Sequence, residues 1–333
     1  MAISAGELFV LYMKRIKRTI VIMIITTILI GFISLNLLAY NHAYHMMHFT
    51  DGGRRTQQHK LHRIIQKIKV LICGIKNPRP VTKLRPLEVN PSLQEHNILC
   101  TNGIILATWY IPGDSPDKLV LLFHGYGQEK SSLIEEADIF HDLGFSCLLV
   151  DFRGSGDSSE SYTSIGYLEA DDVAEAVFYA KEKFPYQTII LFGQSMGAVA
   201  ILKAINDKKV EADGVILEGV FDTLLNTVNN RFKIMGIPSF PSAQLLVFWG
   251  SKQMGFNGFM HNPVEYAQNV YVPALVMHGI NDPKVLLEEA ENVFFQLQGP
   301  KQFKKFHEIG HESYLEYFPD EWRLSVKNFI NIL

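Results

Sequence analysis

The pentapeptide Gly193-Gln194-Ser195-Met196-Gly197 constrains this chain more than any other stretch. An apolar run, Ile189-Ile190-Leu191-Phe192, precedes it, and small residues suited to a helix follow at Ala198, Ala200 and Ala204. A strand that must reverse into a helix within five residues needs small neighbours and places its central residue in a strained backbone conformation. The serine hydroxyl then leaves the end of the sheet beside a helix N-terminus, where free N–H groups and the helix dipole favour developing negative charge. Such a turn marks Ser195 as a candidate nucleophile.

The rest of the chain predicts the scaffold for that turn. Runs at 97–100 and 104–111, separated by Thr101-Asn102-Gly103, read as an antiparallel hairpin. Strand runs follow at 119–123, 145–150, 188–192, 214–217, 274–277 and 303–307, alternating with helical periodicity at 132–143, 167–184, 196–206, 286–297 and 314–332. A hairpin leading into repeated strand–helix units predicts an α/β fold with a mixed, mostly parallel sheet and helices on both faces. In that architecture chemistry collects at the carboxyl ends of strands.

Several motifs fall at those ends. His124-Gly125-Tyr126-Gly127 closes the first long hydrophobic strand, and the main-chain N–H groups of Tyr126 and Met196 are candidate donors to an oxyanion. Asp282, in His278-Gly279-Ile280-Asn281-Asp282, and His311, in Gly310-His311-Glu312, follow later strands. With Ser195 they stand in the chain order Ser, Asp, His. His311 is then expected to take the Ser195 proton, with Asp282 orienting the imidazole; Glu218, at the end of its strand, is the competing acid. Asp151-Phe152-Arg153-Gly154 reads as a structural turn, and His124 and His278 as supports for loops.

Taken together, these motifs resemble those of the α/β-hydrolase superfamily, in particular its membrane-anchored "alpha/beta hydrolase domain-containing" and serine-aminopeptidase-like branches, over roughly residues 84–333. The resemblance implies Ser195 as nucleophile, Asp282 as acid, His311 as base, and Tyr126 and Met196 as oxyanion donors. It also implies a small helical lid over Ser195, assigned to residues 219–270, which are rich in Phe, Ile, Leu and Met. Pro283, directly after the acid, departs from the family pattern. Thr163-Ser164-Ile165-Gly166-Tyr167, before a long helix, also looks like this branch.

The first 84 residues are of another kind. Up to Arg85 the chain has 14 Lys/Arg against two acids, while the remainder has 17 against 32. Residues 1–19 form a basic segment, and Ile20–Leu38 carries no charge, long enough to cross a bilayer core, with no clean cleavage site after it. Residues 20–40 are therefore expected to be an uncleaved transmembrane anchor. Residues 41–84 form a basic juxtamembrane region and linker in which 60–76 repeats apolar residues at i, i+3, i+4 and can lie on a bilayer. The catalytic domain is expected over 85–333, after a proline-rich hinge at Pro78, Pro80 and Pro86. Lys14, Arg15, Lys17 and Arg18 before the span favour a non-cytoplasmic catalytic domain, although Arg54, Arg55 and further cations follow it.

The expected function is a membrane-anchored serine hydrolase that cleaves ester or thioester bonds through an acyl-enzyme, on lipid-like or other acyl substrates. The alternatives are a peptidase or amidase of the same fold and a non-catalytic binding protein that retains it. No cofactor, metal or nucleic-acid partner is expected. Cys73, Cys100 and Cys147 are too scattered for a disulfide framework or zinc site, and the basic residues flank apolar segments instead of forming a polar stripe. Substrate and oligomeric state are not encoded in any of these motifs.

Overall fold

The structure is a computed structural model that describes residues 5–53, 56, 70, 73–84, 90–115, 117–184 and 188–333. Its centre is an eight-stranded sheet built from β1 (Gln94–Leu99), β2 (Ile105–Ile111), β3 (Lys118–Phe123), β4 (Ser146–Val150), β5 (Thr188–Gln194), β6 (Gly214–Glu218), β7 (Ala274–Gly279) and β8 (Lys301–Phe306). The spatial order is β1-β2-β4-β3-β5-β6-β7-β8. β2 pairs antiparallel with both β1 and β4, and every later pairing is parallel. The hairpin and the parallel succession expected from the sequence are both present.

The strand sequences explain the layering. β3, at the centre, is apolar on both faces: Leu119, Leu121 and Phe123 point into one hydrophobic layer, Val120 and Leu122 into the other. Over the first layer lie α3 (Glu169–Lys183), α4 (Met196–Lys208) and α8 (Leu287–Gln296), which contribute Val173, Ala198, Ala200 and Val293. Over the second lie α2 (Ile134–Asp142) and α10 (Pro319–Ile330), with Phe140, Trp322 and Phe329. The edge strands differ: β8 reads Lys-Gln-Phe-Lys-Lys-Phe, and the lysines make that edge a poor template for another strand.

The last helix, expected as one element over 314–332, is two: α9 (Tyr314–Tyr317) and α10. Pro319 is the cause, because it has no N–H to continue the ladder and is favoured at a first helical position.

Between β6 and β7 the chain forms a helical insertion of α5 (Leu224–Ile234), α6 (Ser242–Met254) and α7 (Pro263–Ala267). Leu224, Val228, Ala243 and Val247 give it a small core of its own.

The N-terminal helix α1 runs Ala5–Met47, beyond the 20–40 stretch read as an anchor. Most of its apolar side chains face outward, whereas Ala39, Ala43 and Met47 are buried. The continuation past residue 40 is stabilised by packing, with Ala43 and Met47 against Gly250 of α6. The segment expected as a hinge is also tied down, both to the chain just after α1 and to the turn after β4. Thr50 N–H donates to Asn77 O (2.9 Å), and Gly156 N–H donates to Pro80 O (3.0 Å). The amphipathic stretch at 60–76 lies outside the described residues except for 70 and 73–76, as does Arg85, the expected domain start.

Candidate active site

Each residue of the site is held by a turn at the carboxyl end of a parallel strand. β5 runs directly into α4, and Ser195 between them has φ 48° and ψ −105°, a conformation that a side chain rarely adopts. The motif glycines permit it. A Cβ on Gly193 would sit 2.6 Å from Ala198 N, and one on Gly197 would sit 2.3 Å from Phe123 O. Ser195 N–H donates to Glu218 O (2.7 Å), which ties the turn to β6. Serine is a favoured helix N-cap, yet the Ser195 side chain makes no cap bond to α4. Its hydroxyl turns to His311, 3.2 Å from Nε2.

His311 follows β8, and its Nδ1 lies 2.5 Å from Asp282 Oδ2. A carboxylate oxygen accepts only, so Nδ1 carries the proton and Nε2 is left to accept from Ser195 Oγ. Asp282 follows β7, and its Oδ1 accepts from Lys284 N (2.7 Å) and Val285 N (3.0 Å). Burial alone would push the Asp282 carboxyl up. The hydrogen bond and charge of His311, with the two N–H donors, outweigh it and hold the group below the usual carboxylate range. Pro283, the departure noted in the sequence, has no N–H, and the next two residues supply the donors instead.

The structure thus brings Ser195, His311 and Asp282 into one hydrogen-bonded chain. Glu218, the competing acid, is engaged elsewhere: it accepts from Gln194 Nε2 (3.0 Å) and from Trp322 Nε1. Gln194 Nε2 also donates to Glu136 Oε1 (3.1 Å). Burial pushes Glu218 up to about 7, and burial together with Glu218 pushes Glu136 up to about 8. A buried carboxyl pair therefore stands directly behind the nucleophile turn.

The two expected oxyanion donors lie on adjacent turns. Met196 begins α4, and Tyr126 lies in the turn after β3. That turn is organised by Gln128 Oε1, which accepts from Gly125 N (2.9 Å), and by His124. His124 Nε2 accepts from Phe152 N (3.1 Å), so its Nδ1 donates to Gly125 O (2.8 Å). His278 similarly bonds Val285 O through Nε2 (3.0 Å) and supports the loop that carries Asp282. Asp151 and Arg153 make buried ion pairs with Lys130 (2.6 Å) and Asp172 (2.6 Å), consistent with a structural turn.

Three features had no signature in the sequence. The Tyr126 hydroxyl donates to Met46 O (2.6 Å) at the end of α1 and accepts from Asn77 Nδ2 (2.7 Å). The insertion grips the acid loop, because Arg231 Nη1 (2.8 Å) and Asn230 Nδ2 (3.3 Å) both donate to Lys284 O. The third is the Glu136–Gln194–Glu218 network. Two of the three use main-chain carbonyls far away in sequence, which no residue pattern announces.

Similarity to known proteins can be set beside this geometry. Residues 114–228 match the family described as serine aminopeptidase, S33 (Hydrolase_4). The chain is 27% identical over 193 residues to the uncharacterised protein YqkD of Bacillus subtilis, a match covering 57% of this chain and 63%, less than two thirds, of that relative. It is 26% identical over 221 residues to dipeptidyl aminopeptidase BIII of Pseudoxanthomonas mexicana, covering 60% of this chain and 30% of that one. Among solved structures, the esterase Pf2001 of Pyrococcus furiosus aligns with TM-score 0.63 at 22% identity, over 76% of this chain and 97% of its own.

Proposed function

From the α/β-hydrolase fold of the chain and the match of residues 114–228 to the serine aminopeptidase family, we propose that it is a membrane-anchored serine hydrolase acting on carboxylic esters or thioesters. The observation that carries this reading is the chain of hydrogen bonds from Asp282 through His311 to Ser195 at the carboxyl ends of β5, β7 and β8. In the first step Ser195 Oγ attacks the acyl carbonyl while its proton passes to His311 Nε2. Asp282 stabilises the imidazolium, and the N–H groups of Tyr126 and Met196 receive the negative oxygen of the tetrahedral intermediate. The protonated His311 then gives its proton to the departing alcohol or thiol, which leaves an acyl-Ser195. Water, deprotonated by His311, releases the acid and regenerates the serine. Every step uses side chains, main-chain donors and water.

The likeness to the serine aminopeptidase family favours a second reading, amide or peptide cleavage by the same route. For location, α1 contains a window long and apolar enough to cross a membrane. On the proposed reading it does so, with the four cations before it inside and the catalytic domain on the non-cytoplasmic face. An acyl substrate of lipid-like character suits the apolar insertion beside the site.

The test is labelling of the full-length protein in detergent with a fluorophosphonate probe. Wild type should label and Ser195→Ala should not. Equal labelling of the two would remove the assignment, and no labelling of wild type would point to a non-catalytic binding protein. Competition by ester, thioester and amide panels then separates the two hydrolytic readings.

A further inference from the structure

The helical insertion presents an apolar surface that its own core does not use. From Ile234 to Ser251 there is no charged residue, and the stretch is flanked by Lys233 and Lys252. Within it Ile234, Met235, Ile237, Phe240 and Phe248 are exposed, Phe240 to 76%. Single exposed apolar residues on a soluble domain need no explanation. Four within the seven residues from Ile234 to Phe240, continued by Phe248 on the next helix, form a patch that does.

What lies beside the patch identifies its occupant. α6 packs on α1, and the contacts reach into the uncharged stretch. Trp249 Nε1 donates to Asn36 Oδ1 (3.1 Å), so two polar groups in an apolar setting satisfy each other. Tyr40 meets the Trp249 ring edge-on at 5.4 Å, and Gln253 Nε2 donates to Tyr40 O (2.9 Å). Asn36 lies inside the stretch Ile20–Leu38, so Trp249 is joined to a residue within the span itself. α6, thirteen residues long, extends roughly 20 Å at 1.5 Å per residue, and no part of it is far from that junction. Leu37, Tyr40 and Tyr44 of α1 are exposed around the Tyr40–Trp249 contact, and tyrosines gather at membrane boundaries. Lys233 and Lys252 supply positive charge at the two ends of the uncharged stretch, complementary to anionic headgroups.

We propose that the insertion, through Ile234–Phe240 and Phe248, enters the lipid leaflet beside α1 and forms a second membrane contact. The inference rests on the reading of α1 as a membrane span. It places the insertion, which holds the acid loop through Arg231 and Asn230, at the surface of the leaflet. The matching substrate class is an amphiphile with an acyl ester or thioester, taken up from the leaflet instead of from water.

The test uses the full chain with Cys73→Ser, reconstituted in phosphatidylcholine–phosphatidylglycerol vesicles. Cysteines are introduced one at a time at Ile28, Ile237, Phe240 and Phe295, with the buried Cys100 and Cys147 left in place, labelled with an environment-sensitive fluorophore and exposed to doxyl-labelled quencher lipids. Quenching at 28, 237 and 240 but not at 295, an exposed position on α8, is the expected result. Quenching at 28 with none at 237 or 240 overturns the inference and leaves the spanning reading intact. Absence of quenching at 28 overturns the spanning reading and the inference with it. In parallel, Ile237→Asp with Phe240→Asp should lower turnover of a vesicle-embedded long-chain ester about tenfold or more while sparing a soluble acetyl ester. Equal loss on both esters also overturns the inference.

Discussion

Two turns would receive the same negative oxygen, and they are supported in opposite ways. The turn around Ser195 and Met196 is built from within the sheet: both motif glycines abut main chain, and Ser195 N–H bonds to β6. The turn around Tyr126 has internal ties at Gln128 and His124, but its side chain is held from outside the domain, by Met46 O and Asn77. One half of the proposed oxyanion site is therefore self-contained, and the other depends on the end of the N-terminal helix. The contrast teaches that α1 supports the proposed oxyanion site on one side only.

Substitutions can break or sharpen this contrast. The largest effect is expected from Asp282→Asn, which replaces an accepting oxygen facing His311 Nδ1 with a donor and favours the wrong tautomer. kcat should fall by roughly a thousand- to ten-thousandfold, measured with a soluble ester, while folding is retained. A loss below tenfold would return attention to Glu218. Next is Tyr126→Phe, which leaves Met46 O and Asn77 Nδ2 without the hydroxyl. At ~1–3 kcal/mol for a lost buried hydrogen bond, kcat should drop about tenfold with KM nearly unchanged. An unchanged kcat would show that the Tyr126 turn stands as independently as the Ser195 turn.

The smallest effect concerns the buried carboxyl pair behind Ser195. Burial and the neighbouring Glu218 push Glu136 up, to about 8, in the folded protein, whereas the unfolded chain releases the proton near the ordinary glutamate value. Between those limits the unfolded state binds fewer protons, so stability falls as pH rises. Glu136→Gln should flatten that fall between pH 5 and 8 and raise Tm at pH 8 by a few degrees, at ~2–4 °C per kcal/mol. Thermal unfolding in detergent at several pH values checks it, and a profile identical to wild type would refute it.

The same contrast explains what could be read in the sequence. The Ser195 turn is legible because its requirements fall on consecutive residues. Asp282 and His311 are legible because each follows a recognisable strand, and the strand order then brings them to His311–Ser195 contact. The hold on Tyr126 spans 80 residues and ends on a main-chain carbonyl, which any residue at position 46 would offer. Gln194 occupies a variable position of its motif, so its role between Glu136 and Glu218 left no trace. The split between α9 and α10 was written in Pro319, but the apolar periodicity across 314–332 masked it.

The seam between α1 and α6 also bears on how the protein can be handled. Trimming the chain ahead of residue 48 would uncover Gly250, leave Trp249 N–H and the Gln253 amide without their acceptors on α1, and take away the carbonyl that Tyr126 uses. The fragment would carry a freshly bared apolar groove alongside the exposed side chains of Ile234–Phe248, an invitation to self-association. A truncation that lacks α1 is thus a different molecule, not the same one made shorter.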